Sequence, residues 1–197
     1  MGVDPAAAES AIAAFLVAIG HPSDSDPELR ETPARVARTF CSELLGGYAI
    51  DVDALLAASK NPVGETADDG IVVVRDVRIQ TLCPHHLLPG MGVATIAYVP
   101  GGRLLGIGAL AQLVDAYARR LSLQEHIGRQ VVDALMTLGQ ARGAYCRLDL
   151  QHTCLSCRGA RQSTAVVTTE ARAGTLATPE SSHRLRDLLG LRSSPAP

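Results

Sequence analysis

The chain has 197 residues, enough for one full domain with a solid core and a small appendage. Its 47% hydrophobic and 19% charged residues suit a soluble globular protein, and a formal net charge of −2 gives no basic field for nucleic acid or acidic lipid. No apolar run is long enough to span a bilayer, and five cysteines without a secretion signal favour metal or catalytic use in the cytoplasm over a disulfide framework.

Residues 5–19 carry Ala, Ile, Phe and Leu without a breaker and predict a helix, closed by Gly20 and Pro22. Thr32 and Pro33 read as a hydroxyl cap and a first-turn proline, opening a helix that runs to about Leu45 before Gly46-Gly47. Residues 59–70 form a polar linker. From Ile71 the pattern becomes β-branched and alternating, which predicts a strand over 71–80 and a second over 93–100, separated by the turn TLCPHHLLPG. Leu110, Leu113, Val114, Tyr117 and Leu121 then fall at helical spacing. Ser122 to Glu125 matches a capping box for a further helix with Ile127, Val131, Leu135 and Leu138 on one face. Residues 144–154 and 161–170 predict a second strand pair, 179–190 a short terminal helix, and SSPAP a loose end. The expected division is an N-terminal helical segment over 1–58, a catalytic unit over 70–170 and a tail over 171–197. The fold class is α+β, an antiparallel ββααββ sheet with helices on one face and open edges that invite pairing between subunits.

Chemistry concentrates in Cys83-Pro84-His85-His86, in His152-Thr153-Cys154 with Cys157 and Arg158, and in Gln124-Glu125. A tight turn at Pro84 lets Cys83 and His86 face one ion. Alternation from Ala144 brings His152 and Cys154 out on one strand face, with Cys157 on the other unless a bulge intervenes. Two thiolates and an imidazole select zinc, and three ligands leave a position for water. The competing reading adds Cys157 and closes a structural site, although the gap of about 70 residues between the halves is far longer than structural ribbon spacing. His85 and His152 remain as acid and base beside the ion, or as outer hydrogen-bonding partners of its ligands.

These motifs, in order over about residues 28–170, resemble the GTP cyclohydrolase I family. The family's Cys-Glu-His-His appears as Cys83 to His86, its His-x-Cys with Arg-Gly as His152 to Cys154 with Arg158-Gly159, its Gln-Glu as Gln124-Glu125, and its Glu-Thr-Pro-x-Arg-Val-Ala as Glu31 to Ala37. The resemblance implies a tunnelling fold whose subunit sheets join into a barrel ring, and a toroidal homodecamer. It implies Zn2+ on Cys83, His86 and Cys154, and opening of a guanine-type nucleotide at carbon 8 by zinc-activated water, feeding pterin and folate biosynthesis. His85 and His152 then move protons, Glu125 with Gln124 beside it receives the guanine edge, and Arg35, Arg38 and Arg158 hold phosphate. Read from the residues alone, Glu125 completes the capping box, and Arg35 and Arg38 form a solvated helix face.

The chain departs from the family pattern in three places. Pro84 replaces Glu, Gly106-Ile107-Gly108-Ala109 replaces Gly-Leu-Ser-Lys, and Gln112 replaces Arg. Arginine-for-lysine bias (Lys60 is the lone lysine) would have supplied Arg at 109, not Ala. Losing two cations removes two charge-assisted phosphate contacts, on the order of 1.5–3 kcal/mol each. This points to a divergent member acting on a less phosphorylated or altered purine, or stopping at the opened pyrimidine. A further alternative is a non-catalytic purine- or pterin-binding oligomer with structural zinc.

Overall fold

The computed structural model describes residues 3–62 and 70–190; most of the expected 59–70 linker and the SSPAP end lie outside them. In chain order the elements are α1 (Pro5–Ala18), α2 (Thr32–Arg38), α3 (Val52–Ala58), β1 (Lys60–Pro62), β2 (Val72–Leu82), β3 (Pro89–Val99) and β4 (Arg103–Leu105). There follow α4 (Ile107–Ala118), α5 (Gln124–Thr137), β5 (Gly143–His152), α6 (Thr153–Ser156), β6 (Val167–Gly174) and α7 (Pro179–Leu188).

The fold is α+β, built on an antiparallel four-stranded sheet in the order β2-β3-β5-β6. The strand period of two assigns Ala94, Ile96 and Tyr98 of β3 and Ala144, Cys146, Leu148 and Leu150 of β5 to the same face. Against it lie Leu110, Leu113 and Val114 of α4 and Ile127, Val131 and Leu135 of α5, all fully buried. Each such side chain contributes about 1.5–3 kcal/mol of burial, so this layer carries most of the stability. A second, smaller cluster of Ala97, Val99, Tyr145, Leu176 and Leu185 lies on the opposite face, so α7 covers part of the side left open by the expectation of helices on one face. The remainder of that face is polar, with Arg147 and Asp149 in a paired bridge (2.8 and 3.0 Å).

Several local expectations are corrected. The cap of α2 is Glu31, not Thr32, and the helix continues as a π turn over Thr39–Leu44. Gly46 and Gly47 begin a 3-10 turn. Gly47 is required by close approach: a Cβ there would stand 2.3 Å from the Ala116 carbonyl oxygen. That contact, with Arg120 donating to the Gly47 carbonyl, docks the N-terminal segment on α4. The Ser122–Glu125 capping box does not form. Leu123 occupies the cap without a side-chain bond, and the Ser122 hydroxyl donates to the Leu123 carbonyl. The last strand spans 167–174 rather than 161–170, and α3 and the short β1–β4 pair are additional. Strand β2 carries a bulge between Val74 and Val77, with Asp76 at φ 59°.

Candidate functional site

The sheet delivers its chemistry at one end. Strands β2 and β3 are joined by the loop 83–88, closed by mutual bonds: the Cys83 N–H donates to Leu88 (2.9 Å) and the Leu87 N–H to Cys83 (2.9 Å). Leu87 takes the left-handed conformation, φ 53°, which lets the loop turn within six residues. The loop leaves Cys83 half-buried and His85 and His86 exposed. Both histidine Nδ1 atoms face the Cys83 Sγ, at 3.9 Å for His85 and 3.8 Å for His86. Arg158 donates to the other nitrogen of His86 at 3.0 Å, so its guanidinium is held beside the cluster.

Cys154 arrives differently from the strand-alternation expectation. Strand β5 ends at His152, paired with Gly90 of β3, and α6 begins at Thr153. The Thr153 hydroxyl donates to the Pro89 carbonyl at 2.6 Å and pins this helical turn to the start of β3. The turn sets Cys154 inward, and the candidate ligand atoms of Cys83, His86 and Cys154 all lie within 4.8 Å of one another. Zinc–sulfur and zinc–nitrogen bonds of about 2.3 and 2.0 Å put tetrahedral neighbours roughly 3.5–3.8 Å apart, so small side-chain rotations bring this set into coordination. Cys157, next along the turn, is exposed and stands outside that group. Burial, reinforced by Cys83 close by, pushes the Cys154 thiol above its ordinary value. A cation is the partner that would make both sulfurs thiolates.

His152 is anchored from α5. Its Nε2 lies 2.7 Å from the Gln124 Oε1, and the Gln124 amide nitrogen donates to the carbonyls of Leu148 (3.0 Å) and Val167 (2.9 Å). Burial pushes the His152 imidazole below its ordinary value, opposed by the charge of Glu125. Near neutral pH this favours the uncharged ring that a proton acceptor needs. A β-bridge between Leu82 and Leu121 ties the end of β2 to the loop before α5, which brings Gln124 to the same end of the sheet.

Glu125 is exposed in the first turn of α5 and lines a cavity of about 490 Å³ with Arg129, Thr169 and Arg172 along the open edge of β6. Arg35 and Arg38 are exposed on α2, where Arg35 pairs with Glu31 at 2.5 Å. The structure thus groups Cys83, His85, His86, Cys154 and Arg158, and joins His152 to Gln124. Sequence reasoning missed Thr153 as the pin of the turn and Gly90 as the neighbour of His152; a glycine inside a strand was the available signal for the second. The departing positions lie in the first half of α4: a Cβ on Gly108 would meet no neighbour, Ala109 is buried, and Gln112 is exposed.

Comparison with known proteins matches residues 8–189 to the model of the family described as GTP cyclohydrolase I. GTP cyclohydrolase 1 of Mycolicibacterium vanbaalenii is 39% identical over 181 residues, covering 91% of this chain and 87% of that protein. The enzyme of the same name from Streptomyces avermitilis is 36% identical over 191 residues, covering 96% and 92%. That of Streptococcus pneumoniae is 39% identical over 165 residues, covering 83% and 86%. Among solved structures, the archaeosine synthase QueF-Like in its apo form aligns with a TM-score of 0.43 and 17% identity, over 54% of this chain and 96% of that one. With the family model spanning nearly the whole chain and Cys83, His86 and Cys154 brought together at one end of the sheet, this chain belongs to the GTP cyclohydrolase I family.

Proposed function

We propose that the chain holds Zn2+ on Cys83, His86 and Cys154 and hydrolyses the imidazole ring of a guanine-type nucleotide at carbon 8, releasing formate and feeding pterin- and folate-type biosynthesis. The supporting observation is the convergence of two sulfurs and one imidazole, from loops far apart in sequence, within 4.8 Å. Zinc, when bound, supplies a Lewis acid that brings the pKa of water to about 7. His85, exposed beside Cys83, would donate a proton to the imidazole nitrogen as the ring opens. His152, held by Gln124, would carry protons during formate release. Glu125 would accept hydrogen bonds from the guanine edge, and Arg35, Arg38 and Arg158 would contact phosphate, with Arg158 already beside His86.

The unit carrying this chemistry would be residues 70–170, flanked by the helical segment 1–58 and the tail 171–197. The free edges of β2 and β6 suit edge-to-edge pairing between subunits into a tunnelling-fold barrel, and we assign a toroidal homodecamer acting in the cytoplasm. Among the described residues no helix is long and apolar enough to cross a membrane.

Gly108, Ala109 and Gln112 favour a second reading of the substrate. Where the family pattern has Ser, Lys and Arg, this chain has no hydroxyl and no cation, which weakens the grip on a triphosphate. A less phosphorylated or altered purine, or arrest at the ring-opened pyrimidine, follows. Zinc-loaded protein incubated with GTP, GDP, GMP and guanosine, with formate quantified and pterin fluorescence recorded, decides between these readings. Formate from GTP with pterin fluorescence supports complete conversion; formate without fluorescence supports arrest. No formate from any of the four overturns the hydrolase reading.

A further inference from the structure

We infer that Gln124 is a positioning residue that locks His152 as the Nε2–H tautomer, so that the nitrogen His152 offers for proton transfer is Nδ1, on the side of the ring next to Gly90. The inference rests on the proposed function only for the reaction in which that nitrogen would act.

Gln124 is 4% exposed, and both polar atoms of its amide have partners. Its nitrogen donates to two carbonyl oxygens, of Leu148 at 3.0 Å and Val167 at 2.9 Å. Carbonyl oxygens only accept, so the amide cannot be flipped: the opposite orientation would set its oxygen against both of them. The Gln124 oxygen must therefore face His152, where it stands 2.7 Å from Nε2. That oxygen also only accepts, so the proton sits on Nε2. In the neutral ring the lone pair is then left on Nδ1.

The surroundings of Nδ1 agree with this role. His152 and Thr81 both pair with Gly90, one from each neighbouring strand. A Cβ on Gly90 would stand 3.0 Å from His152 Nδ1 and 3.3 Å from Thr81 Cγ2. The missing side chain therefore leaves Nδ1 uncovered by a Cβ, beside a space narrower than a methyl group. A proton taken by Nδ1 leaves the Nε2–H bond to Gln124 in place, so the oxygen that fixed the tautomer also stabilises the imidazolium. In the proposed hydrolysis that proton comes from the attacking water and passes from Nδ1 to the nitrogen that leaves the formyl carbon, so a water O–H and the C–N bond are broken, a C–O and an N–H bond are formed, and Nδ1 ends unprotonated. Both polar atoms of the Gln124 amide already have protein partners, which favours a positioning role over the substrate contact expected for it beside Glu125.

The test uses full-length, zinc-loaded protein labelled with [15N]histidine, with His152 assigned by difference from His152→Gln. At neutral pH the expected nitrogen shifts are those of a protonated Nε2 and an unprotonated Nδ1; the reverse pair overturns the inference. Gln124→Met and Gln124→Glu are read in parallel. Each is expected to lower kcat by about tenfold or more, part of the roughly 10²–10⁴ that a positioned acid–base group supplies, while KM for the nucleotide changes by less than about twofold. A raised KM with kcat and the His152 shifts unchanged would make Gln124 a substrate contact and overturn the inference. The spectrum of the unsubstituted protein needs no turnover. Absence of formate release thus counts against the proposed function, and the wrong tautomer against this inference.

Discussion

Replacing Gly90 by alanine adds one methyl group where three atoms already stand close. The new Cβ would meet His152 Nδ1 at 3.0 Å, His152 Cε1 at 3.2 Å and Thr81 Cγ2 at 3.3 Å. Gly90 is not among the residues with positive φ, so alanine brings no backbone strain and the effect is crowding alone. Carbon contacts are most favourable near 3.5–4.0 Å, so the imidazole must retreat by about half an ångström. It cannot swing freely, because Nε2 is held at 2.7 Å by Gln124, whose amide is itself fixed by two carbonyls. Overpacking of this kind costs about 1–3 kcal/mol of stability. Misplacement of a reacting group by 1 Å costs on the order of 10² in rate, so half that displacement gives roughly a tenfold loss in kcat. Gly90 is no zinc ligand, so metal content should stay at the unsubstituted level. The assay is formate release at saturating nucleotide, with the urea midpoint and zinc measured on the same preparation. Wild-type kcat together with an unchanged midpoint would refute the geometry around His152.

Cys154→Ala is expected to abolish bound zinc by metal analysis, whereas Cys157→Ala should keep it, since Cys157 lies outside the cluster; zinc loss in the second variant would indicate a closed structural site. Gln112→Arg, at an exposed position of α4, should lower KM for GTP by about tenfold or more and leave guanosine unaffected, since a restored cation is worth on the order of 1.5–3 kcal/mol toward phosphate. The bidentate contact with Arg147, assisted by Thr168, holds the Asp149 carboxyl below the usual carboxylate range. Its contribution is therefore fully present above the unfolded value of about 3.9 and is lost as pH falls through the lower folded value. Urea unfolding between neutral and strongly acidic pH should show Asp149→Asn losing less stability than the unsubstituted chain; equal losses would remove Asp149 as a source of acid sensitivity.

The central architecture was legible because its signals are strong and local. Alternation in β2, β3 and β5 and the helical stripes of α4 and α5 reflect burial of one face, which any strand or helix over a core must show. Strand β6 was misplaced because its exposure alternates between half-buried and exposed, with Thr, Glu and Arg on it, so no hydrophobic periodicity marks its ends. Helix α3 has only seven residues and takes its start from Asp51, whose carboxylate accepts from the Ala54 N–H, a signal too short to separate from a loop. The capping box failed because a sequence match does not determine the conformation before the helix. Ser122 bonds the neighbouring carbonyl, and Glu125 remains exposed.

The grouping of Cys83, His86 and Cys154 was anticipated through a route the structure does not use. Extending the strand through Cys154 would set it on the same face as His152. The strand instead stops at His152, and the one-turn helix α6, pinned by Thr153 to Pro89, supplies the inward direction. The distinction bears on the proposed function, because the candidate metal ligands and the candidate proton-transfer group are then supported independently. His152 stands on a paired strand and is held by Gln124 from the buried layer, so its position depends on the core. Cys154 stands on a short turn and Cys83 and His86 on a hairpin loop, so their positions depend on a few backbone bonds. Side chains on such loops can rotate to close around an ion without disturbing the core. A proton-transfer group on a rigid strand keeps its aim whether or not the loops have closed. On the proposed function, acid–base geometry would thus be preset by packing and metal affinity by the loops, which would separate the two functions within a single end of the sheet.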